Sequence, residues 1–65
     1  MLSDRQRSIV TLIDRLGVDH EDIAEELDLS PSTVRDTITR MCLRFECRPA
    51  QLPRVTGLDT PSREA

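Results

Sequence analysis

The chain has 65 residues, enough for one domain that buries only about 60% of the surface its unfolded chain exposes. Two cysteines and one histidine, with no tryptophan or tyrosine, exclude a disulfide scaffold and an aromatic platform for stacking single-stranded bases. The net charge of −3 argues against a nucleic-acid binder unless the charge is unevenly distributed along the chain.

The first predicted helix covers about residues 4 to 16. Ser3 can cap its start, and Gln6, three residues later, completes a capping-box pattern. Helical spacing places four apolar side chains on one face: Ile9, Leu12, Ile13 and Leu16. Gly17 is placed to end the helix. Val10 lies about 100° from this stripe and is interpreted either as part of a second contact surface or as an ordinary exposed valine.

The second predicted helix covers about residues 20 to 28, with Asp19 as its N-cap. Its buried face carries three apolar side chains: Ile23, Ala24 and Leu27. Leu29 is the apolar residue that plugs the following corner. Asp28 stands where such corners often need a left-handed backbone, a conformation that aspartate tolerates better than most residues.

The third predicted helix runs from Pro31 to about residue 45 or 46, with Ser30 as its N-cap. Its core stripe consists of Val34, Ile38, Met41 and Phe45. The opposite face carries Ser32, Asp36, Thr39 and Leu43. Arg35 and Arg40 flank this face, and small polar side chains between arginines suit a helix that enters the major groove of DNA. A helix, a tight corner and a second capped helix form the skeleton of a helix-turn-helix.

The C-terminal part predicts one or two turns of a fourth helix, which starts near Pro49 and is limited by Pro53. Residues 55–65 lack periodicity and are predicted to form a mobile tail. The sequence therefore predicts an all-α helix-turn-helix domain of three or four helices over residues 1–54.

The charge is divided by element. Residues 1–18 carry +1, residues 19–30 carry −6, residues 31–54 carry +3 and the tail carries −1. The positive part coincides with the predicted third helix. The acidic segment is interpreted as a solvated face, as a surface that faces away from DNA, or as a docking site for a basic protein such as a polymerase subunit.

Several motifs resemble those of a known family. They are Leu2-Ser3-x-Arg5-Gln6, Ile9-Val10, IAEEL at residues 23–27 and LSPSTVR at residues 29–35. The chain is similar in these motifs to the DNA-binding domain of LuxR/GerE-type regulators and to the closely related region 4 of sigma factors, over residues 2 to about 52. The resemblance implies a four-helix domain with its third helix in the major groove. It also implies phosphate contacts near Thr33 and from Arg35, and dimerisation that often uses the fourth helix.

Three residues depart from the LuxR-type pattern. Thr37 stands where that family often has histidine, which bears on one contact to the DNA backbone. Glu46 stands where glycine is usual, and Pro53 interrupts the fourth helix. These two departures argue against the dimer geometry that is usual in that family.

These observations predict a transcription regulator that binds double-stranded DNA and forms a homodimer. The residues expected to read the groove are Ser32, Asp36 and Thr39. The residues expected to hold the DNA backbone are Thr33, Arg35, Arg40 and Arg44. The residues expected at the dimer interface are Leu43, Leu52 and Val55.

The alternative is a protein-interaction module of the same fold that docks on transcription machinery or another regulator without binding DNA. The net charge and the six acids between Asp19 and Ser30 favour it. Asp36 bears on both hypotheses, because its carboxylate can accept a hydrogen bond from a cytosine amine or can weaken DNA binding.

Neither a catalytic arrangement nor a glycine-rich phosphate loop is recognisable, so no enzyme activity is expected. His20, Cys42 and Cys47 lack a known metal-ligand spacing, so no metal or cofactor is expected. If both cysteines lie on one continuous helix, their Cα atoms are about 8 Å apart, beyond disulfide reach. Free thiols, together with the lack of an apolar run near the ~18 residues of a membrane span, predict a soluble, cytoplasmic protein.

Overall fold

The computed structural model describes residues 2–59 of the chain. These residues form four α-helices and one short 3₁₀ turn. In chain order they are α1 (Asp4–Leu16), α2 (His20–Leu27), α3 (Pro31–Phe45), the 3₁₀ turn (Pro49–Gln51) and α4 (Leu52–Thr56). The described part of the chain contains no strand, which confirms the all-α prediction. Within the same residues, no helix is both long and apolar enough to cross a membrane.

The first three helices begin at the capping residues that the sequence predicts. The backbone N–H of Gln6 donates to the Ser3 hydroxyl (3.2 Å), and the backbone N–H of Ser3 donates to the Gln6 side chain (2.8 Å), forming a capping box. Asp19 accepts hydrogen bonds from the first backbone N–H groups of α2. Ser30 caps α3 in the same way and precedes Pro31. Each cap satisfies N–H groups that have no partner within the helix.

The core lies where α3 crosses the other three helices, all of which it contacts. Nine apolar side chains are buried there: Ile9, Val10, Ile13, Ile23, Ala24, Val34, Ile38, Met41 and Leu52. Phe45, the last member of the predicted α3 stripe, is half-buried against this core, as is Leu29 in the corner between α2 and α3. Burial of these apolar surfaces stabilises the fold, at about 25 cal/mol for each Å² removed from water.

One expectation about α1 was wrong: Leu16, placed on the core stripe by its spacing, is 47% exposed. Val10 is fully buried, which favours a second contact surface over an ordinary exposed valine. The reason is that α1 packs against α2, α3 and α4 together, so its buried face is wider than a single stripe. Leu16 is the last residue of the helix and projects beyond this contact.

Helices α2, α3 and α4 end in the same way. Each is followed by a residue with a left-handed backbone: Asp28 (φ 56°), Glu46 (φ 52°) and Gly57 (φ 77°). In each case the next residue donates its backbone N–H to a carbonyl five positions earlier. These pairs are Leu29 to Ala24 (2.8 Å), Cys47 to Cys42 (3.1 Å) and Leu58 to Pro53 (2.9 Å). This is the Schellman motif, in which the two paired residues also bring their side chains together.

The C-terminal part differs from its prediction in two respects. Pro53 lies in the first turn of α4 and is buried, so it starts this helix, where its missing N–H is not needed, instead of interrupting it. The predicted boundary after residue 54 falls inside α4, and Leu58 packs against the core. Residues 55–59 therefore belong to the folded domain. The rest of the predicted tail, residues 60–65, lies outside the described residues.

Leu52 was expected at a dimer interface but is 0% exposed within its own chain. Replacing Leu52 with Ala should therefore lower the free energy of unfolding by about 2–5 kcal/mol, measured by urea denaturation followed by circular dichroism. If Leu52→Ala unfolds so small a domain, the volume-conserving Leu52→Met, with an expected loss below about 1.5 kcal/mol, keeps the series measurable.

Val55 on the same helix is 45% exposed and provides the matched control. Val55→Ala should change the free energy of unfolding by about 0.5 kcal/mol or less. Equal, small losses for Leu52→Ala and Val55→Ala would contradict the placement of Leu52 in the core.

Candidate nucleic-acid interface

The start of α3 is a compact group of hydroxyls. The backbone N–H of Thr33 donates to the Ser30 hydroxyl at 3.2 Å. The same Ser30 oxygen lies 2.8 Å from the Thr33 hydroxyl and 3.3 Å from that of Ser32. Thr33 is half-buried and Ser32 is exposed. The side chain of Thr33 is thus already engaged within the cap, while Ser32 stands at the positive end of the helix dipole, which favours an anion.

The residues that the spacing places on the outward face of α3 are exposed in the structure. Ser32, Asp36 and Thr39 are exposed, and Leu43 is 75% exposed at the C-terminal end of the same face. Arg40 is exposed beside them. Core packing uses the other side of the helix, so this face is free to meet a ligand along about three turns.

Two further arginines lie on opposite edges of α3. Arg35 and Arg44 are nine positions apart, which at about 100° per residue places them on opposite sides of the helix axis. Arg35 faces a shallow pocket that it shares with His20, Glu21, Pro31 and Ser32. The Arg44 guanidinium lies 5.6 Å from the centre of the Phe45 ring, a cation–π contact that holds the side chain in place. The polar face is therefore bordered by a cation on each edge.

The structure adds one basic residue to this set and shows that Thr37, which is outside the set, is engaged within its own helix. Arg7 of α1 lines the same pocket as Arg44, which brings a second cation to that edge. The hydroxyl of Thr37 donates to the backbone carbonyl of Thr33 at 2.9 Å and is half-buried. Thr37 is therefore bound to its own helix, where the LuxR-type pattern often has a histidine.

The acidic segment does not face away from α3 throughout. Glu21, in the first turn of α2, lies with Arg35 and Ser32 around one pocket. Glu26, near the other end of α2, borders Arg7 and Leu12 of α1. The separation of charge seen along the sequence is thus incomplete in space, because the packing of α2 against α3 brings Glu21 to the edge of the candidate interface.

The three residues expected at a dimer interface do not form one surface. Leu43 lines a groove on the Arg35 side of α3. Val55 lines a separate pocket on the Arg44 side. Leu52 is in the core. The three residues therefore lie in three different places, and they do not support the expected homodimer.

The two cysteines are free, half-buried neighbours. Burial raises the pKa of the Cys42 thiol, and the adjacent Cys47 thiol raises that pKa further. Both line the groove that contains Leu43. No group of three or more His, Cys, Asp or Glu side chains within residues 2–59 is arranged to hold a metal ion.

A comparison of the sequence with known protein families identifies the family to which this helix-turn-helix belongs. The family Sigma-70, region 4, matches residues 1–44, which is about two thirds of the chain. The chain belongs to the sigma-70 region 4 family. The match supports the sigma region 4-like helix-turn-helix superfamily that the motifs indicate, and it does not single out the LuxR/GerE branch. No curated protein and no solved structure matches the chain.

The family match stops one residue before the end of α3. It includes α1, α2 and the whole of the outward face of α3. The 3₁₀ turn, α4 and the thiol of Cys47 lie beyond it. The family match therefore covers the candidate interface but not the 3₁₀ turn and α4, which complete the domain at its C-terminal end.

Asp36 is the exposed carboxylate at the centre of the outward face. We expect Asp36→Asn to increase affinity for a mixed-sequence DNA duplex, because it removes a negative charge from the face that we expect to approach the phosphates. A change of about 1 kcal/mol, or roughly fivefold, corresponds to one such charge at short range in water. Fluorescence anisotropy at low salt measures it.

Asp22→Asn, on the exposed side of α2, removes the same charge from another element and should leave the affinity nearly unchanged. Equal gains for both variants would show only an effect of net charge. An unchanged affinity for Asp36→Asn would remove Asp36 from the interface.

Proposed function

We propose that this sigma-70 region 4 domain is a sequence-specific, double-stranded DNA-binding module of a transcription regulator, with α3 in the major groove. The observation that carries the proposal is the outward face of α3, a row of exposed small polar side chains between arginines. An α-helix with its side chains is about 10–12 Å across, and the major groove is about 12 Å wide. The dimensions suit insertion of one helix.

The arginines on the edges of α3 are suited to positioning the helix. A helix in the major groove has a phosphate backbone on either side, and Arg35 and Arg44 point toward opposite sides. Arg7 adds to the Arg44 edge. Contacts of this kind fix orientation without reading sequence.

The residues suited to reading bases lie between these edges. Ser32 and Thr39 can donate to or accept from base edges, and Asp36 can accept from a cytosine amine. Leu43, at the end of the face, can contact a thymine methyl group, the apolar feature of the major groove. The Thr33 hydroxyl is engaged with Ser30. We therefore attribute the expected phosphate contact near Thr33 to the positive end of the helix and not to a free hydroxyl.

Family membership also supports an interaction with transcription machinery. We propose that this contact uses a surface other than the outward face of α3, so that the two partners can bind together. The acidic side of α2 suits a basic protein, since its exposed Glu25 and Asp22 lie on an element that DNA would repel.

The proposal predicts a modest salt dependence. One neutralised phosphate for each of Arg7, Arg35, Arg40 and Arg44 gives a slope of log affinity against log salt of about −3.6, at about −0.9 for each phosphate. Arg35→Ala should weaken binding to all duplexes and make this slope shallower by about one. The measurement is a fluorescence titration of a labelled duplex at several salt concentrations.

Arg54→Ala removes an exposed arginine from α4 and is the matched control, with an unchanged slope expected. An unchanged slope for Arg35→Ala would remove Arg35 from the phosphate contacts. Absence of any binding by the unmodified domain at tens of micromolar and low salt would reject the DNA-binding proposal, since nonspecific dissociation constants are about 10⁻⁴ to 10⁻⁶ M even at physiological salt. That result would leave the protein-interaction module as the function of this fold.

A further inference from the structure

The end of α3 differs chemically from the two other helix ends of the same geometry. In the Schellman motifs of α2 and α4, the paired residues are apolar: Ala24 with Leu29, and Pro53 with Leu58. At the end of α3, the paired residues are Cys42 and Cys47. The motif therefore places two thiols where the other helices have an apolar contact.

The backbone geometry brings these cysteines closer together than a continuous helix would, to the edge of disulfide reach. Helix α3 ends at Phe45, and the left-handed Glu46 (φ 52°, ψ 53°) turns the chain back over the last turn. The Cys47 N–H donates to the Cys42 carbonyl at 3.1 Å. Adding the standard Cα-to-O and N-to-Cα distances to this bond limits the Cα separation to about 7 Å. Disulfides usually span about 4.4–6.8 Å between Cα atoms, so the expectation of about 8 Å for one continuous helix does not apply.

The side chains of the two cysteines lie on the same side of the chain. Both thiols are half-buried and line one groove beside Ile38, Leu43 and Pro49. The pKa of the Cys42 thiol is raised by burial and by the neighbouring Cys47 thiol. The groove is open to solvent, so a small reagent can reach the pair.

We propose that Cys42 and Cys47 are a thiol–disulfide modification site that closes to an intrachain disulfide by exchange with a low-molecular-weight disulfide such as oxidised glutathione. The thiolate of one cysteine attacks a glutathione sulfur, breaks its S–S bond and releases one glutathione thiolate. The second cysteine gives its proton to solvent and attacks the protein sulfur of the mixed disulfide, releasing the second glutathione. Two protein thiols are oxidised, and one glutathione disulfide is reduced to two thiols.

The disulfide would act as a covalent lock on the C-terminal end of α3. Cys47 leads directly into the segment that carries the 3₁₀ turn and the buried Leu52. A covalent bond at the existing Schellman contact fixes α3 against this segment and restricts the unfolded chain. The inference concerns the C-terminal closure of the domain and does not depend on DNA binding.

The test exposes the purified folded chain to oxidised glutathione at low protein concentration. We expect mass spectrometry to show a monomer that has lost two hydrogen atoms and gained no glutathione, with both thiols restored by a reductant. The thermal midpoint should be several degrees higher in the oxidised form than in the reduced form. A stable glutathione adduct, a disulfide-linked dimer, or an unchanged or lower midpoint would overturn the proposal.

Comparison with the unfolded chain isolates the contribution of the fold. The ratio of intrachain disulfide to mixed disulfide at equilibrium should be more than about tenfold higher in the folded chain than in urea, because folding raises the effective concentration of one thiol at the other. Equal ratios would show that the five-residue spacing alone produces the bond, and would overturn a site built by the fold.

The matched control moves one thiol by a single position. The double variant Cys47→Ser, Arg48→Cys keeps two cysteines but takes the second out of the Schellman pairing. We expect it to accumulate mixed disulfide under conditions that close the ring in the unmodified chain. Ring closure as efficient as in the unmodified chain would contradict the assignment. The single variants Cys42→Ser and Cys47→Ser should each stop at the glutathione adduct.

Discussion

The left-handed backbone of Asp28 is the constraint on which the arrangement of the helices depends. It ends α2 and allows the chain to reverse within a three-residue corner. The Leu29 N–H donates to the Ala24 carbonyl at 2.8 Å, and the Leu29 side chain packs against the core. Ser30 then caps α3. Because Asp28, Leu29 and Ser30 are consecutive, they together set the direction in which α3 leaves the corner, and this direction decides which face of α3 remains in solvent.

The charges of the domain act against its proposed function as well as for it. The outward face of α3 has arginines on both edges, yet it carries Asp36 at its centre and has Glu21 beside Arg35. With few proposed phosphate contacts and a net charge of −3, we expect long-range attraction to DNA to be weak. Discrimination between sequences then depends on groove contacts, since a good bidentate contact provides about 1–3 kcal/mol of discrimination.

Local rules in the sequence predict most of this fold. The positions of Ser3, Asp19 and Ser30 predict helix starts, because a short polar side chain just before an apolar repeat can accept hydrogen bonds from the first backbone N–H groups of a helix. The exposed face of α3 follows from the same periodicity. What the sequence does not predict depends on packing between elements. The burial of Val10 requires a third helix against α1, and the presence of Arg7 and Arg44 around one pocket requires two helices to meet.

The end of α3 could be predicted only in part, for a related reason. Pro49 indicates that the helix stops before it, but glutamate at position 46 gives no local sign of a left-handed backbone, unlike Gly57. The contact between Cys42 and Cys47 depends on that one residue. The place of Pro53 could not be predicted because proline interrupts the interior of a helix but is tolerated in its first turn, and the sequence does not say where α4 begins.

The most direct test of the account is a nitrogen-15 NMR titration of the folded domain with a mixed-sequence duplex at low salt. The account predicts that amide signals change along the outward face of α3, from Ser32 to Leu43, and beside Arg7, while signals on the acidic side of α2 stay in place. Changes centred on Glu25 and its neighbours, or no change at saturating DNA, would contradict the assignment of α3 as the DNA-binding surface.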